Sequence, residues 1–193
     1  MRMFVAAVPP ASVVESLDAF LDPRRDAAEF RWTLPDQWHL TLAFLESVPD
    51  RSLDELVERL AHAASRRTPI QAVVSGGIAF PHVGKAKVLA AGVASTVPTT
   101  RDEGDELDRL AAGCRAAAVK SGVEVDGQKF VPHLTLARFG VRPIEGSNWV
   151  RLLNSYQSPA WPIDEVALIA SHLRDGPGRR PRYEVVETFP LGG

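Results

Sequence analysis

The hydrophobic positions of this chain change period several times along its length, and each change marks an element. Arg2 to Val8 is an apolar run short enough for one buried strand, stopped by Pro9-Pro10. Val13, Val14, Leu17, Phe20 and Leu21 then recur at helical spacing, which predicts an amphipathic helix over 10–21. A charged turn at Asp22–Asp26 and a short strand at Phe30–Thr33 lead to a strand over Trp38–Leu45. Leu53, Leu56, Val57, Leu60 and Ala64 mark the next helix, with Ser52 and Glu55 spaced as a capping box. Ile70–Phe80 and Lys87–Val93 alternate as strands, and Gly76-Gly77 predicts a bulge or a close backbone approach in the first. A polar linker over 97–105 precedes the longest predicted helix, with Leu107, Leu110, Ala111, Cys114, Ala118 and Val119 on its stripe. That helix should end at Lys120-Ser121-Gly122. A strand over Val131–Phe139, a short helix at Trp149–Leu153, and strands at Ile163–Leu173 and Tyr183–Phe189 complete the chain. The pattern predicts an α+β fold of two lobes built on antiparallel-leaning sheets.

Two of these strands carry the same pentapeptide. His39-Leu40-Thr41-Leu42-Ala43 returns as His133-Leu134-Thr135-Leu136-Ala137, roughly half a chain length later. Period-two alternation puts His39, Thr41 and Ala43 on one face, with Leu40, Leu42 and Phe44 on the other. The second copy behaves alike. Each strand therefore offers one imidazole and one hydroxyl on the face away from its leucines. Two such strands across a cleft would surround one small anionic group. Each sequence half holds one copy, which suggests duplication without a strict repeat.

Histidine accepts and donates protons near neutral pH, its unperturbed pKa being ~6.5. Two facing imidazoles can divide general base and general acid work on one ester, and threonine hydroxyls can donate to the non-bridging oxygens of a phosphate. The scheme needs no cofactor. A metallohydrolase is disfavoured, because each motif supplies one usual ligand and no carboxylate recurs beside both copies.

Composition narrows the field further. The 193 residues suit one ample domain or two intimately packed lobes, and a net charge of −2 argues against a broad nucleic-acid-coating surface. A local positive patch for an RNA end is still compatible. The single Cys114 rules out an internal disulfide and fits a reducing compartment, so cytoplasmic is the default expectation. No membrane span and no obligate protein partner are evident. Of the other histidines, His62 and His82 read as solvated or turn residues, and His172 as an outside candidate for the cleft. Arg179, Arg180 and Arg182 form the densest positive cluster. Cys114 and the four tryptophans, Trp32, Trp38, Trp149 and Trp161, read as core or lobe contacts.

The paired His-x-Thr strands resemble the 2H (two-histidine) phosphoesterase superfamily, specifically its LigT-like RNA 2′,3′-cyclic phosphodiesterases. The opening strand before Pro9, the stretch Trp38–Phe44, the segment Phe130–Arg138 and the ending Ile169–Leu173 with Tyr183 share the likeness. The resemblance implies a bilobal, pseudo-twofold α+β domain spanning 1–193 with a central cleft. It implies metal-independent opening of RNA 2′,3′-cyclic phosphate ends to 2′-phosphates, with related 2′–5′ RNA ligase activity. His39 and His133 would be the acid–base pair, Thr41, Thr135 and Arg138 the phosphate ligands, and Phe44 and Phe130 base-stacking residues. Strict alternation sends Arg138 to the leucine face; a bulge or a strand end after Ala137 would bring it back. The same alternation gives Phe44 to the core, whereas Phe130 lies outside the strand proper. Which histidine is acid is open on the residues, with His39 as acid on O3′ and His133 as base the starting assignment. Rival readings are a phosphodiesterase for small cyclic nucleotides or 2′–5′ linkages, and a non-catalytic RNA-end binding module.

Overall fold

Strand polarity and pairing, more than the order of elements, set this architecture. The computed structural model describes residues 1–28, 30–97, 105–140, 142–173, 175–176 and 180–192. In chain order the elements are β1 (Met3–Ala7), α1 (Ala11–Leu21), β2 (Arg31–Trp32), β3 (Leu40–Leu45), α2 (Asp50–Ser65), β4 (Ile70–Phe80), β5 (Val88–Ser95), α3 (Glu106–Lys120), β6 (His133–Arg138), α4 (Ser147–Leu153), β7 (Trp161–Ile163), β8 (Glu165–His172) and β9 (Arg182–Pro190). The α+β assignment holds.

The strands form one antiparallel succession, β7-β4-β5-β6-β3-β1-β8-β9, with β2 added to β6. The two motif strands, β3 and β6, are central neighbours joined by a single pair, Leu40 with Leu134. The sheet therefore works as two four-stranded halves, related by a pseudo-twofold between β3 and β6. Each half presents its motif strand inward.

These spatial halves are not the sequence halves. β1 and β3, from the start of the chain, pair with each other, and β1 also pairs with β8 near its end, while β4, β5 and β6 come from the middle. Helix α1 follows β1 yet reaches the other half. There Ser16 hydrogen-bonds Tyr156 just beyond α4, and Phe20 packs on the same ring. The repeated motif thus reflects two interleaved half-sheets.

Several predicted boundaries move for identifiable reasons. The stretch Ile163–Leu173 is not one strand. Trp161–Ile163 pairs with β4 and Glu165–His172 with β1, so the chain crosses between halves at Asp164. The capping box at Ser52 does not form: α2 starts two residues earlier, after Pro49, and Ser52 is buried in its first turn without capping. At 16 residues α2, not α3, is the longest helix, and Val119 on α3 is exposed instead of lying on the apolar stripe. The rest of that stripe, Leu107, Leu110, Cys114 and Ala118, is buried. The predicted linker over 97–105 lies almost wholly outside the described residues. Gly76-Gly77 meets both expectations. Gly76 has φ +79° within a β4 bulge, and a Cβ on Gly77 would come within 2.6 Å of the Val150 backbone on α4.

Alternation in β1 feeds two sides. Met3, Val5 and Ala7 join the main core with Val13 and Leu17 of α1, Leu56 and Leu60 of α2, and Leu110 of α3. Phe4 and Ala6 face the other way, into a small cluster with Ala167, Ile169, Phe44 and Tyr183. The main core runs through both halves without interruption.

Candidate active site

The two motif strands share a defect as well as a sequence. Along β3, Ala6 pairs with Thr41 but Val5 pairs with Ala43, so Leu42 is an extra residue. Along β6, Ala90 pairs with Thr135 but Leu89 with Ala137, so Leu136 is extra. Each bulge places two consecutive residues inside, Leu42-Ala43 and Leu136-Ala137, all four buried. It also reverses the parity of everything downstream. Phe44 and Arg138, sent to the leucine face by strict alternation, come round to the side of the histidines and threonines. This corrects the core placement of Phe44, and it removes the conflict at Arg138 one residue earlier than a break after Ala137.

The imidazoles are tethered alike. His39 Nδ1 lies 2.8 Å from the Gln37 carbonyl and His133 Nδ1 lies 2.6 Å from the Val131 carbonyl. A carbonyl only accepts, so Nδ1 carries the hydrogen in both rings. Nε2 is left as the reactive nitrogen of each. Phe4 stacks on the His39 ring at 4.5 Å and 22°, and Tyr183 stands perpendicular to it at 5.4 Å. Phe80 packs on His133 at 4.8 Å, tilted by 51°.

This covering shapes the titration. Burial pulls the His39 pKa down to about 4, helped by the nearby His133 and Arg138 charges and opposed by the Gln37 carbonyl. His133 is lowered as well, first by burial and then by Arg138, against the Val131 carbonyl. Both shifts favour the neutral ring in the unliganded protein, ready to accept a proton.

Around them lies a cleft of about 580 Å³ that also takes in Thr41, Thr135, Arg138, Phe44 and Phe130. Every residue singled out for the site from the sequence is therefore brought to one place. The cleft is strongly basic. It gathers Arg2, Arg31, Arg115, Lys129, Arg138 and Arg180 against one carboxylate among the described residues, Asp126, in a chain of net charge −2. Arg115 is already committed, donating to the Asp126 and Gln128 carbonyls and holding the loop that leads to Phe130. Arg2 lies 4.5 Å over the Phe44 ring. Gln37 donates to the Pro181 carbonyl at 2.8 Å, fastening the approach to β9 onto the rim.

The other candidates lie elsewhere. His62 and His82 are exposed. His172 turns away from the cleft and pairs with Glu184 at 3.0 Å, although its neighbours Ser171 and Leu173 line it. Arg182 is held by Asp175 and Glu184, Arg180 borders the cleft, and Arg179 lies outside the described residues. Cys114 is buried in the core, its thiol pushed up to about 12 by desolvation. Trp38 and Trp161 are core residues, whereas Trp32 packs edge-on against Trp149 and borders the cleft. Among the described residues no three His, Cys, Asp or Glu side chains cluster as metal ligands.

Some cleft residues escaped the sequence reading. Arg2 and Phe4 could have been found, because period two in β1 separates them from Met3 and Val5. Arg31 could not, since only register with β6 brings it in, and Phe80, which packs on His133 without lining the cleft, depends likewise on register with β5.

A continuous antiparallel sheet folded about two identical His-x-Thr strands, with paired imidazoles over a basic cleft, defines a phosphoesterase architecture. The chain belongs to the 2′-5′ RNA ligase superfamily, whose family model matches residues 10–175. It is 30% identical over 166 residues to an RNA 2′,3′-cyclic phosphodiesterase of Aquifex aeolicus, covering 84% of this chain and 82% of that one. It superposes on the crystal structure of TT0787 of Thermus thermophilus with a TM-score of 0.77 at 27% identity, covering 100% of this chain and 99% of that one. The fold is also that of Escherichia coli LigT complexed with 3′-AMP, at a TM-score of 0.72, 23% identity and coverage of 100% and 98%.

Proposed function

We propose that this protein hydrolyses RNA 2′,3′-cyclic phosphate ends to 2′-phosphates by a two-histidine acid–base mechanism. The observation that carries this reading is the matched pair of tethered imidazoles, each Nδ1 bound to the carbonyl two residues back and each Nε2 left for chemistry. Water attacks phosphorus in line with the P–O3′ bond. One ring takes the water proton, the P–O3′ bond breaks, and the other ring protonates O3′. His133 is assigned as base and His39 as acid. Thr41, Thr135 and Arg138 hold the non-bridging oxygens, where charge accumulates in the transition state. The anionic substrate raises the pKa of both rings as it binds, so that the acid ring takes up from solvent the proton that the free site lacks. A 5′-hydroxyl in place of water gives a 2′–5′ linkage by the same step, consistent with the family to which the chain belongs. Phe44 and Phe130 flank the terminal base.

The two halves act as one domain, a reading supported by their uninterrupted common core. No second protein and no metal enters the scheme. The lone, buried Cys114 supports action in the cytoplasm. No helix among the described residues is long and apolar enough to cross a membrane.

The test is phosphorus NMR of a short RNA ending in a 2′,3′-cyclic phosphate, incubated with the protein in chelator. The expected product is the 2′-phosphate, lost in both His39→Ala and His133→Ala. A folded protein that binds the RNA without converting it would leave a binding module, and conversion only of small cyclic nucleotides would move the activity to that class.

A further inference from the structure

One member of a pair of charges in the cleft has no use in a reaction at a single phosphate. Arg31 on β2 sits directly opposite Arg138 on β6 in antiparallel register, and both line the cleft. Directly opposed residues share a face of the sheet, and like charges in that relation are destabilising. Neither guanidinium has a carboxylate within salt-bridge distance or a hydrogen-bond acceptor among the described residues. Five arginines elsewhere, Arg25, Arg59, Arg67, Arg109 and Arg182, do find a carboxylate. The chain has carboxylates to spare, with 24 Asp and Glu against 22 Lys and Arg, yet none among the described residues is set beside this pair.

Resting on the reaction proposed above, we infer that Arg31 forms a second phosphate subsite, so that the substrate is an oligonucleotide end and not a mononucleotide. Arg138 is occupied by the reacting cyclic phosphate. Arg31, one strand further out and exposed, takes the phosphodiester on the 5′ side of the terminal nucleoside. Guanidinium is the side chain suited to it, matching a phosphate with two parallel N–H donors. The anion at each subsite also relieves the Arg31–Arg138 repulsion, so the two phosphates bind better together than apart.

Three cyclic phosphates with the same terminal base test this: the nucleoside 2′,3′-cyclic phosphate, its 5′-phosphorylated form, and the dinucleotide ending in the cyclic phosphate. Wild type should favour the last two over the first by about 10–100-fold in kcat/KM, the range for a charge-assisted hydrogen bond. Arg31→Gln should reduce that preference to a few-fold while affecting the simple nucleoside much less, and Arg31→Lys should retain part of it. Salt should weaken the preference in wild type but not in Arg31→Gln. A preference for the dinucleotide alone, unchanged in Arg31→Gln, would show stacking of the second base and overturn the inference. Equal turnover of all three by wild type would overturn it too. Failure of wild type to open any of them would instead remove the proposed reaction, so the two failures are distinct.

Discussion

The two sides of the cleft begin as copies and diverge after their bulges. Both motif strands tether the ring to the carbonyl two residues back, and both bulge at the second leucine. The residue that the bulge turns into the cleft then differs: Phe44 on one side, Arg138 on the other. The covering differs as well. His39 has Phe4 stacked on it with Tyr183 packed against both rings, whereas His133 meets Phe80 at a steeper tilt. Proton chemistry needs two equivalent rings, but a nucleotide end has a charged group and a flat base. In the proposed mechanism the duplicated part of the strand serves the first need and the unduplicated position the second.

The largest effects should come from the duplicated part. His39→Ala and His133→Ala should each lower kcat/KM on a 2′,3′-cyclic phosphate by about 10²–10⁴, and the double variant by less than the product. A substrate with sulfur in place of O3′ separates the two roles, because a thiolate leaves without a proton. His39→Ala should regain most of its loss on that substrate and His133→Ala should not. The reverse pattern would exchange acid and base.

At the diverged position, Arg138→Gln should cost about 10²–10³, comparable to removing one donor to a developing oxyanion. It carries a second signature. The Arg138 charge lowers both imidazole pKa values, so its removal lets both rise. Wild-type kcat/KM requires one neutral and one protonated ring in the free protein. With His39 near 4 and His133 also below its ordinary value, the bell should peak below pH 6.5. Arg138→Gln should move the peak to higher pH. Phe44→Leu should leave the peak in place and change KM according to the terminal base.

Much of this was legible before any coordinates. The motif spacing, the residue types and the loop at Phe130 pointed to one cleft, because repeated identities survive in sequence whatever the connectivity. Face assignment downstream of Leu42 and Leu136 was not legible, because a bulge adds a residue without altering the apolar pattern. Leucine followed by alanine looks the same in a regular strand. Interleaving of the halves was hidden for a related reason: pairing of β1 with β8 depends on contacts across almost the whole chain. Arg31 was invisible on both counts, since nothing local to it names its partner strand.

The threonines return to the symmetric part at a smaller scale. Thr41→Val and Thr135→Val should each lower kcat/KM about tenfold, the loss of one neutral hydrogen bond. If each hydroxyl serves a different non-bridging oxygen, the two diastereomers of a cyclic phosphorothioate should separate them. Each variant should then be selectively less affected with the diastereomer bearing sulfur at its own oxygen. Both responding to the same diastereomer would break the symmetry argued here.

The smallest effect probes what lowers the two imidazole pKa values. If burial under aromatic rings is what holds His39 near pH 4, thinning that cover should act on His39 alone. Phe4→Leu removes the ring stacked at 4.5 Å while keeping the position apolar, so water reaches the imidazole more easily. The cost of charging the ring falls, and its pKa rises. Phe80→Leu should do the same to His133 and leave His39 unmoved. Proton NMR of the two Cε1 hydrogens through a pH titration reads both values in one sample, with His62, His82 and His172 resolved by single substitutions. A few-fold change in kcat/KM should accompany each shift, because the Nδ1 tethers that orient the rings survive. If Phe4→Leu left His39 near 4, the neighbouring positive charges and not desolvation would be its main cause. The lowering at His39 would then belong to the charges of His133 and Arg138 rather than to the aromatic cover.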